Sequence, residues 1–351
     1  MTLPNPILDR SVVLADDGGS VAVLDRRVFP AETSWVTCRT PQDVAAAIRD
    51  MVTQSSGPAY AAAAGMALAA HQAAGLPLAD ARDRLAAAGA ALATARPTNS
   101  HPRIVVEGIL AATAAAGSTD ELVEAAVDAA RAADDEYRSR SRALGAAAAD
   151  LLPDGVRVLT HCWMDGYLIE LVRAAHERGR RYRWVATETR PYLQGARLTA
   201  HTLAELGQDV TLITDSMAAA ALAPDSTLGR VDALVTAADR VAMDGSVANK
   251  VGTLGLAAAA RHFGVPFYAL VQAPDPTTAT GADIVVEERD PAEVFATLGR
   301  RTASPLLSQA WYPAFDVTPP ELVTRIVTDR GPFAPDRLAD YSTHDPTPGE
   351  A

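Results

Sequence analysis

Three side chains of unlike chemistry stand just past apolar, β-rich runs in the second half of the sequence. Cys162 follows Val156–Thr160, Asp239 follows Val231–Ala237, and Lys250 stands a little beyond Asp239, in the stretch Asn249-Lys250-Val251-Gly252-Thr253. A thiol at a strand tip, near the start of the next helix, feels the helix dipole, which favours the thiolate. The same position also suits a free cysteine acting as a small buried hydrophobe. A carboxyl that ends an apolar strand is either a helix N-cap or an acid/base group whose pKa the apolar wall raises. Asp215, after Val210–Thr214, is placed in the same way and suits a cap. Lys250 is the sole lysine of the chain. Its ammonium is a compact point charge where a guanidinium is a planar fork, which suits a phosphate or sugar contact; the alternative is a lone surface cation. Arg96, at the end of a helical run, and Arg190, after Arg183–Thr187, each suit a bidentate phosphate clamp or a structural salt bridge. A thiol, a carboxyl and a few cations, without a cofactor, suit proton transfer next to a carbonyl.

The elements that must position these residues fall into two textures. Up to about residue 150 the chain reads as a mainly helical domain with a small β-sheet. Short strands at Ser11–Leu14, Ser20–Leu24 and Trp35–Cys38 precede helical runs at Pro41–Gln54, Ala59–Ala74, Ala79–Ala95, Pro102–Ala116 and Thr119–Ala149. Thr40 is the expected cap of the first of these helices. Cys38 falls in a strand and reads as core. From 151 to 332 short apolar runs recur with helices between them: Val156–Thr160, Arg183–Thr187, Val210–Thr214, Val231–Ala237 and Pro266–Val271, with Asp283–Glu287 as one more expected strand. That alternation predicts an α/β fold with a Rossmann-like parallel sheet. Ligands of such sheets bind beyond the carboxyl ends of the strands, where the polar residues above collect. Residues 333–351 are rich in Pro and Asp and read as a flexible tail.

Other chemistries lack their signatures. No Walker loop or G-x-G-x-x-G follows a strand, no Cys/His spacing fits zinc, and there is no G-x-S-x-G. The expectation is a site with no metal and no cofactor. His161 adjoins Cys162, but neighbours on an extended chain face opposite ways, so no dyad is expected. With 351 residues, 48% hydrophobic and 21% charged, the chain is globular and long enough for two domains. A net charge of −12 argues against a nucleic-acid partner, and no polybasic patch addresses a membrane. Two cysteines imply no disulfide framework and suit a reducing compartment. The most apolar stretch, Gly57–Leu76, is rich in alanine and holds His71 and Gln72, a poor membrane span. No leader pattern stands at the N-terminus. The expectation is a soluble, cytoplasmic protein.

Longer motifs carry a resemblance over nearly the whole chain. They are LDRRVFP at Leu24, AAAIRDMV at Ala45, ARPT at Ala95, LTHC at Leu159, ETRPYLQGARLTA at Glu188, TLITDSMA at Thr211, AADRVAMDGSVANKVGT at Ala237, EERDP at Glu287 and PAFDVTPPELVTRIVTDRG at Pro313. In these the chain resembles the methylthioribose-1-phosphate isomerases, in the wider family with ribose-1,5-bisphosphate isomerase and the regulatory subunits of 2B-type translation initiation factor. The resemblance implies a homodimer and a small-molecule partner, a sugar phosphate handled in methionine salvage. It implies Cys162 and Asp239 as the catalytic pair, the first a thiolate near neutrality and the second kept protonated in an apolar pocket. It implies Arg96, Gln194, Asn249 and Lys250 around the sugar phosphate, with the loop at Ser56 and Gly57 on the phosphate.

The chain departs from that pattern in three places. Gln54-Ser55-Ser56-Gly57-Pro58 stands where the family carries Arg-Gly-Ala-Pro. Trp163-Met164-Asp165-Gly166 follows Cys162 in place of Asn-Ala-Gly and a longer loop, closer in length to the bisphosphate isomerases. Asn99-Ser100-His101 replaces Ala-Val-Asn. The expected function is conversion of a 5-substituted ribose 1-phosphate, 5-methylthioribose 1-phosphate above all, to the ribulose 1-phosphate. The alternatives are ribose 1,5-bisphosphate or 5-deoxyribose 1-phosphate as substrate, or a regulatory relative that binds a sugar phosphate or nucleotide without turning it over. A dehydrogenase is disfavoured because the glycine fingerprint is missing.

Overall fold

A computed structural model describes residues 3–96 and 101–343. They divide into two compact units, one of Ile7–Ser139, the other of Met1–Pro6 with Arg140–Ala351. The division falls inside a long helix, Thr119–Asp150, rather than at the change of texture near residue 150.

In the first unit β1 (Val12–Leu14), β2 (Val21–Leu24) and β3 (Trp35–Cys38) form an antiparallel sheet in that order. Four helices follow, α1 (Pro41–Arg49), α2 (Gly57–Ala73), α3 (Leu78–Thr94) and α4 (His101–Ala112), and then α5 (Thr119–Asp150). Thr40 starts α1 through a capping box: its Oγ1 accepts from the Asp43 amide at 3.1 Å, and Asp43 Oδ2 accepts from the Thr40 amide at 2.9 Å. Helix α2 is buried on nearly every side. Its alanines let neighbouring helices approach closely: a Cβ on Gly65 would stand 3.0 Å from Leu92 Cδ1. Cys38 lies fully buried in this core.

The second unit carries β4 (Arg157–Thr160), α6 (Gly166–Glu177), β5 (Arg183–Thr187), α7 (Ala200–Glu205), β6 (Asp209–Ile213), α8 (Ala218–Leu222), β7 (Ala233–Ala237), β8 (Arg240–Val241), β9 (Val247–Lys250), α9 (Thr253–His262) and β10 (Phe267–Leu270). Beyond them come α10 (Ala292–Phe295), the hairpin strands β11 (Ala296–Thr297) and β12 (Arg300–Arg301), and β13 (Phe315–Thr318), β14 (Arg325–Thr328) and β15 (Gly331–Phe333). The main sheet runs β15-β14-β10-β7-β4-β5-β6 and is parallel except for β15. Its central strands read as unbroken apolar runs because both faces are covered; Val158, Leu159, Val185, Leu234 and Ile326 are all essentially inaccessible. A second sheet, β13-β9-β8, is antiparallel and carries Asn249 and Lys250.

The α/β architecture is the one expected, with three corrections. Asp283–Glu287 is no strand: Thr280 caps a 3-10 turn at Gly281–Asp283, and Val285 is 91% exposed. The sixth parallel strand is β14 instead. Residues from 333 onward do not begin a loose tail, for β15 pairs with β14, a 3-10 helix at Pro335–Ser342 buries Leu338, and the Tyr341 hydroxyl donates to Asp329 at 3.0 Å. The rest of that segment, 344–351, lies outside the described residues. Among the described residues no helix is long and apolar enough to cross a membrane.

Candidate active site

The order of the main sheet decides where a site belongs. From β4 the chain steps outward one way, to β5 and β6; from β7 it steps the other way, to β10 and β14. The crevice at this reversal, beyond the carboxyl ends of β4 and β7, is where open parallel sheets hold ligands. Cys162 comes two residues after β4, and Asp239 two residues after β7.

Cys162 leaves the strand direction at once, with φ of 65°. Its amide therefore donates outside the sheet ladder, to Thr189 Oγ1 at 2.9 Å, and its carbonyl accepts the Thr199 hydroxyl. The Trp163 amide donates to the sulfur, and Lys250 and Asp239 are both close enough for their charges to act on it. Burial pushes the Cys162 thiol up to about 12; Lys250 and the Trp163 amide oppose this, and Asp239 and Asp215 reinforce it. The resting thiol is thus held protonated, contrary to the expected thiolate. Helix α6 starts only at Gly166, too late for its dipole to outweigh burial.

Asp239 also differs from expectation: its side chain is exposed, so no apolar wall encloses it. Its amide donates to Ala248 O at 2.9 Å, which ties the end of β7 to β9. Lys250, at the end of β9, is buried, with Nζ 5.0 Å from the ring centre of Phe315 and 6.0 Å from that of Tyr312. Among the described residues no carboxylate forms an ion pair with it. An ammonium held against aromatic faces, with no carboxylate paired to it, is a ready anion site. Cys162 also raises the Tyr312 hydroxyl, which burial and Glu293 already push up to about 12.

The turn after Lys250 is fixed from two sides. Asp316 accepts the amides of Gly252 at 2.7 Å and Leu254 at 3.1 Å, and Thr253 Oγ1 donates to Lys250 O at 2.7 Å. Asn249 is buried and gives Nδ2 to Thr253 Oγ1 at 2.9 Å, so its amide supports this turn. His161 is buried and bonded at both ring nitrogens, to Thr187 Oγ1 at 2.6 Å and Val251 O at 3.0 Å.

Gln194 is buried after β5, and its Oε1 has no hydrogen-bond partner; an acceptor left this way suits a ligand hydroxyl. Gly195 beside it is obligatory, since a Cβ there would meet Thr187 O at 1.8 Å. Arg190 is no phosphate clamp. Its guanidinium donates to the carbonyls of Pro191, Ala296 and Val294 and so fastens the β11–β12 segment. Asp215 accepts the amides of Thr189 and Arg190 at 2.7 and 2.6 Å.

Arg96, Ser56 and Gly57 belong to the first unit. Arg96 points Nη1 at Met51 Sδ, 2.9 Å away. Ser56 is buried and precedes α2 without a side-chain cap bond, and Gly57 is the first residue of α2, where a Cβ would meet Thr53 Oγ1. The departures at Asn99 and Ser100 lie outside the described residues.

Comparison with known proteins shows the family and the fold. Residues 52–335 match the model of the initiation factor 2 subunit family. The chain belongs to that family. It is 42% identical to a methylthioribose-1-phosphate isomerase of Anaeromyxobacter sp. (strain K), over 98% of each chain. Among solved structures, 5-methylthioribose 1-phosphate isomerase from Pyrococcus horikoshii OT3 superposes with a TM-score of 0.86 at 32% identity, covering 97% of this chain and 98% of that one. Translation initiation factor eIF-2B, subunit delta, from A. fulgidus gives 0.84 at 33% identity, covering 95% and 98%. The family's fold is the one described above, with a helical N-terminal region and a mostly parallel seven-stranded sheet.

Sequence reasoning missed Thr189, Thr199, Tyr312 and Phe315, and set His161 aside. All of these but Tyr312 stood inside the motifs, but nothing in a sequence says that a hydroxyl will receive a particular amide.

Proposed function

We propose that this chain is a cofactor-free aldose–ketose isomerase that converts 5-methylthioribose 1-phosphate to the corresponding ribulose 1-phosphate. The observation that carries the reading is the placement of Cys162 and Asp239 past the two strands at the reversal of the sheet, with the Lys250 ammonium acting on the sulfur. Family members that act on this sugar phosphate, over nearly the full chain, support the choice of substrate.

In the proposed reaction the Cys162 thiolate takes the hydrogen at C2 while Asp239 protonates the ring oxygen. The electron pair from C2–H forms a C1=C2 double bond as the C1–O bond of the ring breaks, leaving an enol phosphate. Asp239, now a carboxylate, then accepts the proton of the C2 hydroxyl, the C2 carbonyl forms, and the thiol returns a proton to C1. Both groups end as they began.

The working state needs the thiolate and the protonated acid together, whereas the resting sulfur holds its proton. One proton shared by the pair reconciles the two. The charge of Asp239 is one cause of the raised thiol, so moving the proton from sulfur to Asp239 removes that push. It leaves the thiolate beside Lys250 and the Trp163 amide. Substrate lying over Asp239 would supply the cover that the open side chain lacks. Lys250 and Asn249 are the proposed phosphate contacts, and Gln194 a contact to sugar hydroxyls. Arg96, Ser56 and Gly57 stay in the proposal on the resemblance alone.

The proposed protein is a homodimer of the cytoplasm. Supporting the dimer, Val285, Leu298, Leu306, Leu307 and Trp311 are all exposed between β10 and β13, apolar side chains that a partner surface would cover. A free working thiol suits a reducing compartment.

A second reading, a relative that binds sugar phosphate without turnover, is favoured by the raised thiol and by the similarity to the initiation-factor subunit. A panel of ribose 1-phosphates varied only at C5, followed by ketose formation, separates the two. Product from the methylthio sugar, lost in Cys162→Ser and in Asp239→Asn by about a thousandfold or more, is the expected result. Binding without product supports the second reading, and a near-normal rate in either variant removes the catalytic assignment.

A further inference from the structure

We infer that His161 is a positioning residue: a neutral imidazole that holds the peptide after Lys250, and through it the ammonium, against the sulfur of Cys162. His161 lies between β4 and Cys162, and one ring spans from that strand end to the turn that follows β9. The Val251 carbonyl can only accept, so Nε2 carries the hydrogen and donates to it at 3.0 Å. Nδ1 is then a lone pair and accepts the Thr187 hydroxyl at 2.6 Å. Both nitrogens are satisfied without charge.

The surroundings keep the ring neutral. His161 is buried, and burial holds it below the usual imidazole range, with Lys250 acting in the same direction. The bond to the Val251 carbonyl and Asp215, 3.9 Å from Nδ1, pull the other way without outweighing burial, and the Asp215 oxygens already accept the amides of Thr189 and Arg190. A neutral ring adds no second cation, which leaves Lys250 as the positive charge that acts on the thiol.

The turn is shaped to the ring. Gly252 has φ of 108°, and a Cβ there would stand 3.1 Å from Nε2. Any larger residue would push the ring off Val251 or strain the backbone. From the other side Asp316 grips the Gly252 amide, so the Lys250–Gly252 segment is clamped between His161 and β13.

The inference rests on reading Cys162 and Lys250 as working groups, but its test follows the thiol and needs no turnover. A chain that isomerises no sugar would still report on it. The measurement is the rate at which iodoacetamide alkylates Cys162, read on its peptide by mass spectrometry, at one pH below the thiol's pKa. His161→Gln places an amide nitrogen near the Nε2 position; His161→Asn places one near Nδ1 and cannot reach Val251. We expect the Asn variant to be about tenfold slower, the equivalent of one unit of thiol pKa, and the Gln variant to stay within about twofold of the parent. In a Lys250→Met background both are expected to match that background. The inference is overturned if Asn slows alkylation as much without the ammonium as with it, or if Gln is no better than Asn. Should the Asn variant not fold, Thr187→Val removes the hydroxyl that anchors Nδ1 and so loosens the ring that holds Val251. It is expected to show the same Lys250-dependent slowing, and an unchanged rate there overturns the inference equally.

Discussion

Thr189 receives the amide hydrogen of Cys162 on its Oγ1 at 2.9 Å, bridging the segments that follow β5 and β4. Thr189 is itself held by Asp215, which accepts its amide at 2.7 Å. The backbone turn that presents the sulfur is thus held by two hydroxyls, its amide by Thr189 and its carbonyl by Thr199. Thr189→Val keeps the shape and removes the acceptor, and an unpaired buried amide costs about 1–3 kcal/mol. A lower urea midpoint is expected, with kcat falling while KM for the sugar phosphate changes little, because the ammonium stays in place. A KM rise larger than the kcat fall would contradict this account.

Lys250 stands over Phe315 and Tyr312 with no paired carboxylate among the described residues. In Lys250→Met the lost charge-assisted contact, about 1.5–3 kcal/mol, should raise KM by about ten- to a hundredfold. Lys250→Arg should fail to restore it, since a planar fork replaces a point charge in a site shaped by two rings. Steady-state kinetics on purified variants checks both, and full rescue by arginine would count against a point-charge site.

Alkaline pH offers a separate readout. The Cys162 thiol is raised from 9.0 to about 12, chiefly by burial. Below pH 9 folded and unfolded chains both keep the proton, and the contribution to stability is intact. As pH climbs from 9 towards 12 the unfolded chain releases that proton and the folded chain does not, so stability falls. Urea midpoints from neutral pH to the alkaline side of 9 should drop more steeply in the parent than in Cys162→Ala. Cys38, raised to about 11 mainly by burial, contributes a similar slope to both and cancels in the comparison. Parallel slopes would show that the sulfur is not desolvated.

Two glycines make a matched pair. A Cβ on Gly195 would lie 1.8 Å from Thr187 O and 2.7 Å from Thr189 Oγ1, so Gly195→Ala has to move backbone next to the site. It should cost about 3 kcal/mol and lower activity with it. Gly255, inside α9, has nothing within 4 Å of the same construction, and Gly255→Ala should stabilise by about 0.5–1 kcal/mol. Thermal melts of the two variants should move in opposite directions.

How much was readable in advance follows from which physics each element obeys. The strands β4, β5, β7 and β10 were legible because parallel strands covered on both faces become apolar runs. Thr40 and α1 were legible because capping is local. The small sheet β8-β9-β13 was not: Val247–Lys250 is buried throughout, yet it contains Asn249 and Lys250, which read as loop. The run at Asp283–Glu287 looked like a strand, but the Thr280 cap turns the chain there and leaves Val285 in solvent. Cys162 and Asp239 could be picked out as strand-end residues, whereas their electrostatics could not, since burial and exposure belong to the folded chain. His161 was set aside on the rule that neighbours on a strand face opposite ways. The rule lapses at Cys162, whose φ of 65° ends the extended chain.

One property of Lys250 reaches beyond binding. With a single lysine in 351 residues, reagents that acylate side-chain amines have one target, and that target is the proposed phosphate contact at the end of β9. Acylation of that lysine, located on its peptide and so told apart from the N-terminal amine, therefore serves as an occupancy gauge for the proposed anion site: labelling is expected to fall as a sugar phosphate fills it.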